Sequence, residues 1–288
     1  MSNLKIKNVA FYSFFNAGFQ PDAVRMTLHR KMRELGIRGT LLLAPEGINA
    51  GYSGPPEPLD AFTKFLIQEI GISPPVLKVS WSEKIAFSRA LVKIKKHIVP
   101  PPGSTKIDLA TDSAPYLAPE ELHQWIESGK KMVLLDTRNG YEFQLGRFSG
   151  SQHLGTRHFS KFENDLKHAP EEWKTMPVVT FCTGGIRCEK AAPLMLKKGF
   201  REVYQLDGGI LNYFEKVGRG HFEGGCFVFD KRVALDEKLL PTGDVMCFAC
   251  QAILKPEEVK SPQFKEGAHC PHCISRQQTS NKKNNLVL

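Results

Sequence analysis

Apolar positions along this chain recur with strand-like and helix-like periods, and their order divides the chain into unlike parts. The runs NVAFYSFF (8–15) and GTLLLA (39–44) are continuous apolar stretches of strand length. Between them Val24, Leu28, Met32 and Leu35 recur at helical spacing behind Pro21, which predicts a helix over 21–35. The turn formers of PEGINAGYSG (45–54) lead into a third strand, and Leu59, Phe62, Phe65 and Leu66 mark a second helix. VLKVSWS (76–82) and RALVKIKKHIV (89–99) predict two further strands, the latter alternating apolar residues with lysine. From Leu117 the order changes. APEELHQWIESG (118–129) reads as a helix with its acids in the first turn, where the macrodipole favours them. MVLLDTR (132–138) and PVVTFC (177–182) read as buried strands, followed by a helix over 189–198, a strand and turn at REVYQLDGG (201–209), and a helix over 210–216.

The first pattern, β-α-β-β-α-β, predicts a ferredoxin-like α+β domain over 1–100. An acylphosphatase on that fold needs a glycine-rich phosphate loop followed by arginine; FFNAGFQ (14–20) supplies neither, so the domain reads as a binding or scaffolding module. PPPG and the polar stretch after it read as a linker over 101–116. The alternation over 117–220 predicts a doubly wound α/β domain with a parallel sheet covered on both faces. Short runs, turn residues and paired cysteines over 221–274 predict a small Cys-rich, zinc-ribbon-like segment, and 275–288 reads as a disordered tail. The expected fold class is therefore α/β multidomain.

Composition narrows the setting. The chain has 288 residues, 41% hydrophobic and 24% charged, an ordinary globular mixture. It contains no apolar run of membrane-spanning length and no cleavage pattern after its first apolar stretch. Seven cysteines, four in C-x-x-C pairs, suit a reducing compartment, and the expected location is cytoplasmic. The net charge of +9 favours a polyanionic partner, although a plainly solvated basic surface has the same composition.

The strongest chemical signal is CTGGIRC (182–188). Cys182 ends a hydrophobic strand, where open α/β sheets place their sites. Thr183, Gly184, Gly185, Ile186 and Arg187 follow, then a helix. The glycines let backbone N–H groups turn inward, the helix amino terminus adds partial positive charge, and Arg187 adds a full charge if it turns into the loop. All three favour thiolate over thiol, making Cys182 the candidate nucleophile and 183–187 its anion or persulfide cradle. Four residues separate Cys182 from Arg187, one fewer than in the phosphate loop of protein tyrosine phosphatases, so the cradle suits a single sulfur. The alternative is a buried, inert cysteine. Cys188 is either a resolving thiol or a small residue packed at the helix start, and Cys226 reads as structural. Near the end, Cys247-x-x-Cys250 and Cys270-x-x-Cys273 stand nineteen residues apart, a spacing at which two knuckles converge on one structural zinc; reversible disulfides are the alternative. His269 and His272 read as bystanders.

LLDTRNGYEFQLGRFSGSQHLG, CTGGIRC and VYQLDGGI together resemble a rhodanese domain. That resemblance implies a cysteine able to carry persulfide sulfur, with Asp136, Arg138 and Glu142 bracing the fold and loop. PEGIN, RALVKIKKHIV, CTGGIRCEKA, GGCFVFDKRVA and the paired cysteines in combination resemble the tRNA uridine(34) hydroxylase family over nearly the whole chain. The resemblance implies oxygen-dependent formation of 5-hydroxyuridine at the tRNA wobble position, molecular oxygen as co-substrate, tRNA as partner and Cys182 as the active cysteine. No flavin, haem or non-haem iron motif accompanies it. The N-terminal domain, RALVKIKKHIV and the basic tail are candidate RNA contacts, and Lys93, Lys95 and Lys96 read equally as a solvated strand face. A sulfurtransferase carrying a Cys182 persulfide, and a regulatory rhodanese module, are the competing readings.

Overall fold

The structure, a computed structural model, describes residues 5–15, 19–72 and 76–274; the expected disordered tail lies outside them. The first unit runs β1 (Ile6–Phe14), α1 (Pro21–Glu34), β2 (Arg38–Ala44), β3 (Gly47–Gly54), α2 (Pro56–Gln68), β4 (Lys78–Ser82) and β5 (Ala90–Ile94). Its sheet has the order β4-β1-β3-β2-β5, with β1, β3, β4 and β2 antiparallel to their neighbours and β5 added parallel to β2 at the edge. This is the ferredoxin-like arrangement with one extra strand.

The period of two along β1 decides what covers each face. Val9 and Phe11 join Leu28, Met32, Leu59 and Phe62 in the core beneath the two helices. Asn8 and Tyr12 point the other way yet are also buried, as are Lys78, Ser80 and Ser82 on β4. A second face this well covered requires a partner, and the rest of the chain is that partner.

RALVKIKKHIV does not continue as a strand to Val99. The ladder ends at Ile94, after which the Glu46 carboxylate accepts the Ile98 N–H at 2.8 Å and turns the chain out of the sheet. The stretch read as a linker is pinned to the second unit: Glu163 accepts the N–H groups of Ser104 and Thr105 at 2.7 and 2.9 Å and pairs with Lys198.

The second unit continues with β6 (Tyr116–Leu117), α3 (Pro119–Glu127), β7 (Val133–Asp136), α4 (Gly140–Leu145), β8 (Gly146–Phe148), β9 (Gln152–His153), α5 (Phe162–Leu166), β10 (Pro177–Phe181), α6 (Cys188–Lys197), β11 (Glu202–Leu206) and α7 (Gly209–Val217). Strands β6-β11-β10-β7-β9 form a wholly parallel sheet with β10 at its centre. Residues from α3 and α7 pack with Leu134, Val179 and Phe181 on one face, while α5 and α6 pack with Val133, Leu135 and Val178 on the other. Both faces are buried, which is why these strands read as continuous apolar runs.

Short strands complete the chain: β12 (Phe222–Gly224) pairs with β8, β13 (Cys226–Phe227) with β14 (Ala234–Leu235), and β15 (Val245–Met246) with β16 (Ile253–Leu254), followed by α8 (Pro256–Val259). Segment 226–235 reaches back to the first unit, where the Lys231 N–H donates to Ala86 O at 2.9 Å and Arg232 Nη1 to Ser80 Oγ at 2.7 Å. No described helix is long and apolar enough to cross a membrane.

Asp136 and Arg138 form a fully buried pair at the end of β7, with Arg138 Nη2 also donating to Gly146 O at 2.6 Å. Asp136→Ala removes the carboxylate paired with that guanidinium and is expected to lower unfolding stability by about 3–5 kcal/mol. Urea titration of the purified variant checks this; a loss under about 1 kcal/mol would show that the pair is dispensable.

Candidate active site

Cys182 follows Phe181 at the carboxyl end of the central strand β10, and the loop 182–187 leads into α6. The loop is held from below by α7: the N–H groups of Ile210 and Leu211 donate to the carbonyls of Cys182 and Thr183 at 3.0 and 3.1 Å. Gly209 makes that approach possible. A Cβ there would lie 2.5 Å from Cys182 O and 2.7 Å from Gly185 N, and its φ of +68° is left-handed. With their carbonyls engaged below, the loop's N–H groups are free to face inward.

They face the sulfur. The Gly185 N–H donates to Cys182 Sγ at 3.1 Å. Burial alone would push the thiol pKa up; the Cys188 thiol, the Arg187 charge and the N–H groups of Arg187 and Gly184 outweigh it and hold Cys182 below its ordinary value of 9.0. Cys188 moves the opposite way, raised by its own burial and by the neighbouring sulfur. It is a neutral donor, with Thr137 Oγ1 3.7 Å from its own sulfur, and a poor attacking thiol. The two sulfurs nevertheless stand within hydrogen-bonding reach of each other.

The remaining cradle residues divide. Thr183 turns away, its hydroxyl donating to Phe227 O at 3.1 Å. Ile186 packs into the core on the α6 face of the sheet. Arg187 does not offer an uncommitted charge: Glu142 binds both terminal nitrogens, at 2.7 and 2.8 Å, and both side chains are buried. Glu142 stays ionised despite its burial because Arg187 and Arg138 lower its pKa. The bracing read from the sequence is thus a buried bidentate pair that fixes the guanidinium at the loop.

The site also contains residues that no local motif singles out. Tyr12 donates to Glu189 Oε1 at 2.7 Å and lies over Gly185, whose φ of +97° and missing Cβ leave room for the phenol. The Lys78 side chain lies over Gly184, with Cε 3.5 Å from where a Cβ would sit. Glu46 of PEGIN receives both Lys190 of α6, at 2.9 Å to each oxygen, and the Ile98 N–H. Read as a continuous apolar run, β1 gave no sign of what its second face would meet. Between the units lies a cavity of about 680 Å³, with Cys182 in its floor, Tyr12 and Lys78 above, and Phe229, 65% exposed, at the rim.

Cys226 is buried beside Arg138, and burial pushes its thiol up to about 12. Cys247, Cys250, Cys270 and Cys273 converge, their sulfurs all within 4.8 Å of one another. Sulfur separations of 4.0 Å (Cys247–Cys273) and 3.6 Å (Cys250–Cys270) bracket the about 3.8 Å expected of a tetrahedral tetrathiolate zinc. His269 and His272 are engaged elsewhere, with Gln263 O and Glu258.

Alkylation of Cys182 by iodoacetamide is expected to outpace that of Cys188 and Cys226, with a pH midpoint below 9.0. Arg187→Met should move that midpoint upward, since loss of a nearby cation destabilises the thiolate. Mass spectrometry after limited labelling decides it; labelling at Cys226 or Cys188 first is the opposing result.

The family profile described as UPF0176 acylphosphatase like domain matches residues 6–98, and that described as Rhodanese-like domain matches 118–216. The chain is 40% identical over 279 residues to a tRNA uridine(34) hydroxylase of Cupriavidus taiwanensis, covering 94% of this chain and 97% of that protein. A tRNA uridine(34) hydroxylase of Burkholderia lata is 41% identical over 281 residues, covering 94% and 98%. Among solved structures, the rhodanese-like domain of an Anabaena protein aligns with a TM-score of 0.34 at 21% identity, covering 38% of this chain and 79% of that one. Identity of this extent, running through both units and the cysteine-rich end, places the chain in the tRNA uridine(34) hydroxylase family.

Proposed function

We propose that this protein hydroxylates uridine 34 of tRNA to 5-hydroxyuridine, with molecular oxygen as co-substrate and Cys182 as the reacting group. The observation that carries the reading is the cavity between the two units: about 680 Å³, floored by a cysteine held toward its thiolate form. Its size falls in the range of small-molecule and nucleotide sites. A wobble uridine is unpaired when tRNA is free, so turning its base into such a cavity costs little. Phe229 at the rim offers a face on which the base or its neighbour stacks. A sulfurtransferase acting on thiosulfate needs far less space than this.

Thr183, Gly184, Gly185, Ile186 and Arg187 serve as the cradle through their backbone and the fixed guanidinium, and Cys188 serves as a donor to the sulfur. Residues 1–100 and 117–220 act as the two walls of the site, joined by 101–116, and 221–274 fastens them. The net charge of +9 suits tRNA, whose location implies a cytoplasmic enzyme. Lys93, Lys95 and Lys96 are all exposed on and beyond the edge strand, available to phosphates.

Cys247, Cys250, Cys270 and Cys273 would hold one zinc, whose role is to staple a segment too poor in apolar residues to fold alone. About one zinc per chain is expected, lost on Cys273→Ser together with protease resistance of 245–274. Elemental analysis of reduced protein without stoichiometric metal would count against it.

Nucleoside mass spectrometry of tRNA from a strain lacking the protein tests the function. Complementation with Cys182→Ser should leave 5-hydroxyuridine absent while tRNA affinity stays within about two-fold, because binding rests on many phosphate contacts. The combined Lys93, Lys95 and Lys96 to Gln variant should weaken binding and flatten its salt dependence by about 0.7–0.9 logarithmic units for each phosphate it no longer neutralises. Full modification by Cys182→Ser would remove the cysteine from the chemistry.

A further inference from the structure

Three cationic side chains line the cavity among the described residues: Lys78, Arg187 and Arg232. Arg187 is committed to Glu142. Arg232 is committed to Asp230, at 2.9 and 2.6 Å, and to Ser80 Oγ. Lys78 has no hydrogen-bond acceptor and no ion-pair partner among the described residues; its ammonium lies 5.3 Å from the centroid of the Tyr12 ring. It is nonetheless 7% exposed.

The ammonium lines the cavity without an acceptor, and burial of the side chain lowers the Lys78 pKa to about 8, against the restoring influence of Cys182, Asp207, Glu189 and Glu215. Such a group is suited to a site whose ligand supplies the missing negative charge. Its position narrows where that charge falls. The aliphatic part of Lys78 lies over Gly184 and Tyr12 lies over Gly185, so Lys78 stands beside the cysteine loop in the wall of the same cavity that Cys182 lines. The Cys182 sulfur is itself fully covered by these surroundings.

Uridine is neutral at its base but becomes anionic when a thiolate adds to it. We propose that Lys78 is a catalytic residue of this site, holding the negative charge that develops on the C4 carbonyl oxygen of uridine 34 when the Cys182 thiolate adds to C6. The inference rests on the function proposed above and adds to it the covalent step and the group that stabilises it.

In this step a sulfur electron pair forms the S–C6 bond while the C5=C6 π pair moves toward C4, giving an enolate with its charge on O4. The Lys78 ammonium donates a hydrogen bond to that oxygen. No oxidant enters and no electron is lost. C5 becomes electron-rich, which is the carbon that receives the hydroxyl group in the proposed product. Without oxygen the enolate takes a proton from water at C5. Loss of a C5 proton and expulsion of the thiolate then restore uridine, with its C5 hydrogen exchanged for one from solvent.

The test is anaerobic incubation of the full-length protein with tRNA in deuterium oxide, with the C5 hydrogen of uridine 34 followed by nucleoside mass spectrometry. The wild-type protein should exchange that hydrogen and Cys182→Ser should not. Lys78→Met should exchange about 100-fold more slowly, as expected on losing one donor to a developing oxyanion, with tRNA affinity nearly unchanged. Lys78→Arg, which keeps a cation, should recover much of the rate. Rates are divided by the thiolate fraction read from ultraviolet absorbance, so a residue that merely supports the thiolate would show no remaining defect. Lys78→Met exchanging at the wild-type rate would overturn the assignment. Wild-type protein that hydroxylates tRNA in air but never exchanges the hydrogen would overturn the covalent step and leave the proposed function standing. Wild-type protein that does neither would overturn both.

Discussion

Holding a sulfur anion away from water is the constraint on which the rest of this structure depends. A desolvated thiolate is unfavourable unless several donors converge on it, and side chains alone rarely supply enough within one turn of backbone. Here the donors are N–H groups of a six-residue loop, which α7 holds from beneath by the carbonyls of Cys182 and Thr183. The Arg187 charge is added without mobility, since Glu142 grips both terminal guanidinium nitrogens. Each support is itself buried and must itself be supported, which explains the density of polar side chains around 136–142 in the interior of the sheet's end.

The first unit finishes what the second begins. Its sheet gives one face to two helices and the other to the cysteine loop, and among the described residues no separate helix layer covers that second face. The join is made by directional polar contacts: Lys190 to Glu46, Tyr12 to Glu189, and Arg232 to Ser80. Such contacts set the height of the first unit's sheet above the sulfur more sharply than apolar packing would. They also account for PEGIN, whose glutamate closes the end of β5 and receives the buried lysine of α6 with one carboxylate. The short strands of 222–235 then tie the two units together, since β12 pairs with β8 and the next turn reaches the first unit at Ala86.

This arrangement separates binding from chemistry. Proposed contacts to a large polyanion lie on exposed lysines, where each contributes modestly and in proportion to salt. The proposed chemistry sits where the dielectric is low and each charge is placed once. A cysteine loop of this kind on its own would suit transfer of a single sulfur atom; roofed by a second domain with an unpaired cation, it becomes a chamber of a size that admits a base.

Local pattern was enough for the elements and for the loop. Strand runs buried on both faces, helices with three- and four-residue apolar spacing, and CTGGIRC at the end of a strand are encoded within a dozen residues each, and the structure has them within a few positions. The C-x-x-C pairs were legible for the same reason: a knuckle is a local object, and two of them need only meet. The strand predicted over 89–99 was overextended because the chain beyond Ile94 is turned out of the sheet by a carboxylate 52 positions before Ile98. Arg187 was legible as a residue of the loop but not as half of an ion pair, because Glu142 is 45 positions distant. Tyr12 meets Glu189 across 177 positions, and Lys78 reaches Gly184 from another domain. Nothing in a lysine on a β-strand announces that it will be buried without an acceptor. That is decided only when two independently patterned sheets are brought face to face, because burial and charge pairing are properties of the assembled surfaces and not of any segment that contributes to them.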